Sequence, residues 1–446
     1  MDSKLSSKQI SNTMRRKFLL IISLLLISVE IVLFILIKTE VTKTIDIEIT
    51  IDLQKKLLDT KENSTNFFLE FNQYLNNIYA PYFLISIIYN FFTVYDCFIL
   101  VNVLSIDYIF SFLLKLIYKK PSYKYFNINN TDSDDIKIYY CGYGYAFPSQ
   151  ESIIAVSLYL SIWKIMNKMS FKYNKKKKII KYILLSIFIS ILFFYNFCSL
   201  LDGYYFFSHI IFSVIFGFIV YLIFFESNFI NLLNGNEFMN FLNKYYLLYI
   251  IINLSFFVLF SIIYIIERVT ISKDYNYGIC TDKNGKEFNQ REKYYSYIDG
   301  TFVFNILFLG NIFSIVGIIL DLKIFHKDNN YTYYLENFPE EYEELINEKN
   351  KESFGGSIHI IKDTVWNNTS LLVSFLRLII IMVFCWACFF PYIFIHFNDK
   401  KISLVLFIKI FLPPIIFFNG IFFYLKTLLK LMNLTNITLQ SISKDP

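Results

Sequence analysis

The chain has 446 residues, of which 55% are hydrophobic and 20% aromatic, and its mean hydropathy is +0.47. This much apolar surface cannot be buried in a soluble core of ordinary size, which excludes a soluble globular protein. The formal net charge is +6, but the basic residues lie beside apolar segments, where they orient membrane helices, so we expect no nucleic-acid partner.

The apolar segments predict a polytopic transmembrane helical bundle of the all-α class, with about ten spans, because a helix needs about 20 apolar residues to cross a bilayer. The predicted spans are 18–37, 78–94, 98–118, 152–165, 179–197, 206–225, 245–266, 302–320, 371–390 and 402–425. The boundary between the second and third spans is predicted near Tyr95 and Asp96. The first span lacks the cleavage site of a signal peptide, so we expect it to be retained.

The loops predict how the chain is oriented. Lys168, Lys172 and the run 175–178 lie between the fourth and fifth spans, and short basic loops stay in the cytosol. Alternation then places both termini in the cytosol and the segments 39–77, 119–151 and 198–205 on the lumenal side. Within the first of these segments, about Thr44 to Leu58 is expected to form an interfacial helix.

A turn at residues 147–151 carries the strongest sequence signal. It reads Phe-Pro-Ser-Gln-Glu and opens an apolar helix that continues as Ala-Val-Ser-Leu-Tyr at 155–159. This second motif resembles the central signature of the type 2 phosphatidic acid phosphatase superfamily, in which the turn reads Phe-Pro-Ser-Gly-His. Here Gln150 and Glu151 stand where that family has Gly and His.

Two further segments resemble the flanking motifs of the same superfamily. The first motif, at 115–121, has Lys115 after a membrane span and Lys120-Pro121 where the family has Arg-Pro, although two residues early. The third motif, at 198–211, places Tyr205 at the position of the nucleophilic His and His209 at that of its Asp partner, and Cys198-Ser199 replaces Ser-Arg.

The resemblance implies a site and its expected chemistry. The family reaction is attack of a neutral imidazole on phosphorus, with cationic side chains binding the phosphate oxygens. The family positions assign catalytic places to Tyr205, His209 and Glu151 and phosphate-binding places to Lys115, Lys120, Ser149 and Gln150. We expect no metal and no cofactor. A Tyr hydroxyl, with a reference pKa of about 10, replaces imidazole poorly, and a carboxylate repels a phosphate dianion.

The layout is similar to the glucose-6-phosphatase and sphingosine-1-phosphate phosphatase branch, whose chains continue past a six-helix core. The predicted domains are a cytosolic N-terminus (1–17), a six-span core (18–225, with a lumenal linker at about 39–77), and further helices (226–446, with a cytosolic loop at about 322–368). The resemblance implies the endoplasmic reticulum or another endomembrane as location.

Three functions stay open at this point. The first is a catalytically impaired relative of these phosphatases that binds a phosphorylated lipid or sugar phosphate, or acts through protein partners. The second is a divergent phosphohydrolase that uses Lys115, Lys120, Ser149 and His209 in shifted roles. The third is an unrelated transporter, which would leave the order of the three motifs unexplained.

The predicted orientation can be tested by cysteine labelling in sealed microsomes. Cys141 precedes the second motif and should react with a membrane-impermeant maleimide only after the membrane is opened. A cysteine introduced at Lys176, in the basic run, should react without opening. Labelling of the Lys176→Cys variant only in opened microsomes would reverse every side assignment.

Overall fold

A computed structural model describes the helices and strands of this chain. It describes residues 2–39, 41–57, 89, 94–118, 147–168, 175–201, 205–223, 241, 244–274, 279–281, 287–289, 306–325, 357–362, 371–394, 417, 420–432 and 437–442. The α-helices are α1 (Asp2–Lys38), α2 (Lys43–Leu57), α3 (Val94–Tyr118), α4 (Gln150–Lys168), α5 (Lys175–Leu201), α6 (Phe207–Tyr221), α7 (Tyr246–Asp274), α8 (Ile306–Phe325), α9 (Leu371–Phe394) and α10 (Leu425–Leu431).

The predicted fold class, an all-α transmembrane bundle, is confirmed. Among the described residues, three helical stretches are long and apolar enough to cross a bilayer, with mean hydropathies of 2.7, 2.1 and 2.4. They are Ile21–Lys38, Asp96–Lys115 and Tyr246–Ile263. Shorter apolar helices cover Leu185–Cys198, Phe207–Tyr221 and Phe375–Cys388. The total of about ten spans stays a prediction, because most of 78–94 and 402–425 lies outside the described residues.

Helix formation in these segments follows from the membrane environment. Hydrocarbon offers no hydrogen-bond partners, so each backbone amide and carbonyl must be satisfied within the helix. This requirement keeps α6 helical despite its β-branched residues and Gly217. The sequence predicted a boundary between two spans near Tyr95 and Asp96, and α3 begins beside it, at Val94. Residues 90–93 lie outside the described part of the chain, so the separation of the two spans stays a prediction.

Two short antiparallel ribbons accompany the helices. Strand β1 (Ile279–Thr281) pairs with β2 (Glu287–Asn289), with Cys280 opposite Phe288. Strand β3 (Ser357–Lys362) pairs with β4 (Ile437–Ile442), with Ile358 opposite Ser441. Both ribbons lie between or after apolar helices, where the sequence predicted loops.

The chain divides into two units of packed helices. The first unit comprises residues 1–78, 103–230 and 264–301, and the second comprises 79–102, 231–263 and 302–446. All three predicted motifs belong to the first unit. These units do not test the predicted domain boundaries, which stay predictions.

The first unit is held together by an aromatic core around Phe147, which is fully buried. Its ring lies 5.7 Å from Phe34 of α1, 5.0 Å from Tyr118 of α3 and 4.6 Å from Phe212 of α6. Rings at these separations add to the gain from burial. One residue of the second motif therefore ties three helices together.

A buried polar contact joins α3 to α4 deeper in the first unit. The Ser157 hydroxyl donates a hydrogen bond to Oδ2 of Asp107, and both side chains are fully buried. A carboxylate within a membrane helix is expensive to bury without a partner. The bond therefore favours one rotational setting of the two helices.

Polar contacts also order the helices of the second unit. The Tyr249 hydroxyl donates to Oδ1 of Asn102 at 2.5 Å, and Nδ2 of Asn311 donates to Oδ1 of Asn253 at 3.0 Å. Farther along the chain, Gly420 lies so close to α9 that an added Cβ would come within 2.0 Å of the Phe384 ring. Gly420 opens a π-helical turn, Gly420–Tyr424, that precedes α10.

Gly217 permits a close contact between α6 and α4. A Cβ at this position would come within 2.7 Å of the backbone oxygen of Ile153 and 3.0 Å of Cβ of Val156. Such an approach is available to glycine alone without backbone movement. Small residues at helix interfaces are typical of membrane proteins for this reason.

We expect Gly217→Leu to push α6 away from α4 and to lower the stability of the protein in detergent by about 1–3 kcal/mol. The midpoint of thermal unfolding measures this change. Ile211→Leu, at an exposed position of the same helix, is the matched control and should leave the midpoint unchanged. Equal midpoints for both variants would contradict the close approach at Gly217.

Candidate functional site

The three motif regions meet in the first unit at the beginning of α4. Tyr118, which ends α3 just after Lys115, lies 5.0 Å from Phe147 of the second motif and 5.9 Å from His209 of the third. Phe147 and His209 are 5.3 Å apart between ring centroids. The sequence predicted that the start of α4 would point at the other two motifs, and the ring contacts agree with that prediction.

The second motif forms the turn that starts α4. The Phe147–Pro148 peptide is cis. Ser149 then caps the helix: its Oγ accepts a hydrogen bond from the backbone amide of Ser152 at 3.4 Å and lies 2.7 Å from Oγ of Ser152. A serine before the first helical residue commonly has this role. The hydroxyl predicted to bind phosphate is thus engaged in capping, and it is fully buried.

Ser152 extends the contact to α5. Its hydroxyl donates a hydrogen bond to Oδ1 of Asn196, while Nδ2 of Asn196 donates to the carbonyl of Leu192 at 2.9 Å. Asn196 was not predicted as a site residue. An isolated asparagine near the end of an apolar helix gives no signal that it will contact a turn 44 residues earlier.

Glu151 and Tyr205 are hydrogen-bonded to each other. The Tyr205 hydroxyl donates to Oε2 of Glu151 at 2.5 Å, so the two residues at the family positions of nucleophile and acid are direct neighbours. Tyr205 is fully buried, in a cluster with Leu200 and Ile210. A hydrogen bond from a hydroxyl to a carboxylate is among the stronger kinds.

His209 lies inside an aromatic cage. Besides Tyr118 and Phe147, its imidazole meets Phe206 at 5.2 Å and an interplanar angle of 88°. The side chain is completely buried. The edge-to-face geometry of all three contacts is typical of packed rings.

The remaining predicted phosphate-binding residues are placed as follows. Lys115 lies in the last turn of α3 and is buried, with 3% of its surface exposed. Gln150 is the first residue of α4 and is also buried. Lys120 lies outside the described residues.

Asp46 was missed by the sequence analysis. Its Oδ1 accepts a hydrogen bond from the backbone amide of Ser208 at 2.9 Å, and its Oδ2 accepts one from the Ser208 hydroxyl at 2.6 Å. Thr42 donates to the Ser208 hydroxyl at 3.4 Å. Asp46 therefore caps α6 from a different helix, and its 1% exposure shows that α2 covers this end of the first unit.

The helix α2 was predicted, at about Thr44 to Leu58, as an interfacial segment. The structure places a helix there, Lys43–Leu57, and packs its Ile49 and Leu53 against the cluster that contains Tyr205. An acidic residue in an amphipathic helix ordinarily faces water. Nothing in the local pattern around Asp46 distinguishes it from such a residue.

Three hydrogen-bonded sets of side chains lie around the starts of α4 and α6, and we call them together the polar cluster. They are Asp46 with Ser208, Ser149 with Ser152 and Asn196, and Glu151 with Tyr205. Two members of the cluster are carboxylates located at the amino ends of helices. Helix amino ends attract anions because their amides are free and their dipole is positive there. In this protein Asp46 provides the anion for α6, and Glu151 lies in the first turn of α4.

This geometry agrees with a comparison of the sequence with known families. Residues 96–232 match the PAP2 superfamily. The match covers just under a third of the chain and includes all three motifs. No curated protein and no solved structure shows significant similarity to the chain.

The match supports the predicted relationship to membrane phosphatases. A PAP2-like region with apolar helices fits a membrane protein related to phosphatases of phosphorylated lipids or sugars. The resemblance to one branch of the superfamily, the roles of individual residues and the loss of activity stay predictions.

Asp46→Ala removes the carboxylate that accepts both Ser208 hydrogen bonds. We expect it to destabilise the protein by about 1–2 kcal/mol, the usual effect of deleting a helix cap. Glu48→Ala, two residues along the same helix and exposed, should change stability by less than about 0.5 kcal/mol. Chemical denaturation followed by circular dichroism measures both, and similar values for the two variants would contradict the capping role.

Proposed function

We propose that this protein is a membrane protein of the PAP2 superfamily with little or no phosphatase activity. It acts by binding a phosphorylated ligand at the polar cluster, or through a protein partner that recognises the bound state. The match over residues 96–232 supports the relationship. The contacts of Tyr205 and Glu151 support the loss of catalysis.

The hydrogen bond between Tyr205 and Glu151 is the observation that carries the proposal. Covalent phosphoryl transfer needs a nucleophile with a base that takes its proton, and a proton donor for the leaving group. Here the hydroxyl at the nucleophile position donates to an acidic side chain at the family's acid position. In this contact Glu151 accepts a hydrogen bond, as a base for the hydroxyl would, whereas the family residue at its position donates a proton to the leaving oxygen, so the contact leaves the donor role unfilled.

His209 is the other candidate nucleophile, and its surroundings argue against that role. An attacking imidazole needs an open approach to phosphorus and a carboxylate that orients it. The His209 ring instead lies against Phe147, Phe206 and Tyr118 and is completely buried. We interpret His209 as a packing residue of the aromatic core.

The two carboxylates at the helix ends should weaken the binding of highly charged anions. Asp46 already accepts the amide at the start of α6, and Glu151 adds negative charge at the start of α4. A phosphate dianion placed between them would meet like charges. The buried Lys115 of the first motif lies at the end of α3, and Lys43 lies three residues before Asp46 in α2.

The proposal includes the location that the family resemblance implies and the orientation that the basic loops predict. The polar cluster would face the lumen of the endoplasmic reticulum or of another endomembrane, and both chain ends would lie in the cytosol. A phosphorylated lipid in the lumenal leaflet would reach the cluster laterally, whereas a sugar phosphate would reach it from the aqueous lumen.

We expect hydrolysis of phosphatidic acid, sphingosine 1-phosphate and glucose 6-phosphate to stay near background. Covalent catalysis and oxyanion stabilisation each contribute several powers of ten, and the residues for both are replaced. Release of inorganic phosphate by the purified protein in detergent measures this. The assay is run at several pH values between about 5 and 8, the range in which His side chains change charge.

The control is His209→Ala, which tests the shifted nucleophile directly. Background release from both proteins supports the proposal. Robust turnover that the His209→Ala substitution abolishes would overturn it and assign His209 as nucleophile. Robust turnover that survives in His209→Ala but is lost in Tyr205→Phe would assign the reaction to Tyr205 instead.

A further inference from the structure

An apolar cavity of about 250 Å³ lies in the first unit between α1, α4, α5 and α6. Apart from Tyr159, its lining is purely hydrocarbon or phenyl; representative residues are Leu26, Val156, Leu160, Leu192, Val214 and Phe218. Val156 at its inner side is buried, whereas Ile189 and Phe218 at its outer side are 56% and 38% exposed. The cavity thus opens sideways, at the height of the apolar helices.

The cavity begins one helical turn from the polar cluster on two helices, and on a third it adjoins the cluster that contains Tyr205. In α4, Val156 follows Ser152 by one turn, and in α5, Leu192 precedes Asn196 by one turn and accepts its hydrogen bond. In α6, Val214 packs against the cluster that contains Tyr205 and also lines the cavity. Residues four apart lie on the same face of a helix, so the two regions are adjacent.

A site with a polar end and an apolar end matches an amphiphile. The carboxylates of Asp46 and Glu151 limit what a phosphate group contributes to affinity, as described above. Burial of a hydrocarbon chain needs no charged partner, and the free energy that it contributes to binding increases with each buried methylene. A ligand that fills both ends would therefore be held mainly by its chain.

We propose that this cavity is the chain-binding part of the site and that the ligand is a phosphorylated amphiphile with one hydrocarbon chain in the cavity. The inference rests on the proposed function for its phosphate group and goes beyond it in choosing a lipid over a sugar phosphate. An apolar cavity of about 150 Å³ holds a benzene molecule, so 250 Å³ accommodates about ten carbons. This volume fits one chain segment and is too small for two long chains.

The native Trp163 provides a reporter for the test. It lies one turn beyond Tyr159 in α4, and Tyr159 lines the cavity. The full-length protein carrying Trp366→Phe and Trp386→Phe is placed in nanodiscs and titrated with decyl phosphate brominated near the chain end. Bromine quenches tryptophan only at short range, so occupation of the cavity should give saturable quenching of Trp163.

Two substitutions fill the cavity from different helices. Leu160→Phe in α4 and Leu192→Phe in α5 should each raise the half-saturation concentration of the ligand by about tenfold, because the hydrocarbon chain of the ligand loses much of its buried surface. Ile187→Phe is the matched control, because Ile187 is exposed on α5 and faces away from the lining residues. It should leave the titration unchanged. Thermal unfolding midpoints confirm that each variant is folded.

Competition with unlabelled compounds separates this inference from the proposed function. Displacement by decyl phosphate, modestly weaker displacement by decanol, which has the same chain, and no displacement by glucose 6-phosphate supports both. Equal displacement by decanol and decyl phosphate keeps the chain cavity but overturns the phosphate site. Displacement by glucose 6-phosphate as strong as by decyl phosphate, or quenching that neither filling variant changes, overturns the chain cavity. Quenching that does not saturate overturns it as well.

Discussion

The close approach of α4 and α6 at Gly217 is the constraint on which the site depends. Because glycine has no Cβ, the backbone of α6 can lie against the carbonyl of Ile153. This contact packs the start of α4 against the second half of α6, while the hydrogen bond between Tyr205 and Glu151 joins the segment before α6 to the same end of α4. A side chain at Gly217 would push α6 away from the helix end that carries the second motif.

Much of the fold could be predicted from hydropathy, because the bilayer requires long apolar helices whatever their detailed sequence. The ends of α3 and α4 were predicted to within a few residues, and the order of the motifs placed the site between them. The boundary predicted near Tyr95 and Asp96 rested on one acidic residue in an apolar run, and it falls beside the first residue of α3, Val94. In the structure Asp96 lies in the first turn of α3, where a negative charge favours the helix dipole.

The contacts within the site were harder to predict, for a physical reason. Motif positions can be read from spacing, but Asp46 contacts Ser208 across 162 residues of sequence. Such a contact depends on how α2 folds back over the bundle, and local sequence does not record that. The same holds for Asn196, whose partner lies on another helix. For Tyr205 and Glu151, the family resemblance predicted that both residues belong to one site, but it did not predict the hydrogen bond between them.

The packing of Phe34 against Phe147 has a consequence for the minimal folded unit of this protein. The residues that match the superfamily begin at 96, yet α1 and α2 precede them and supply Phe34, Asp46 and the cavity residue Leu26. A fragment restricted to 96–232 would expose one side of the aromatic core and leave α6 without its cap. We therefore expect a fragment that folds on its own to include α1 and α2, which lie well before the recognisable sequence.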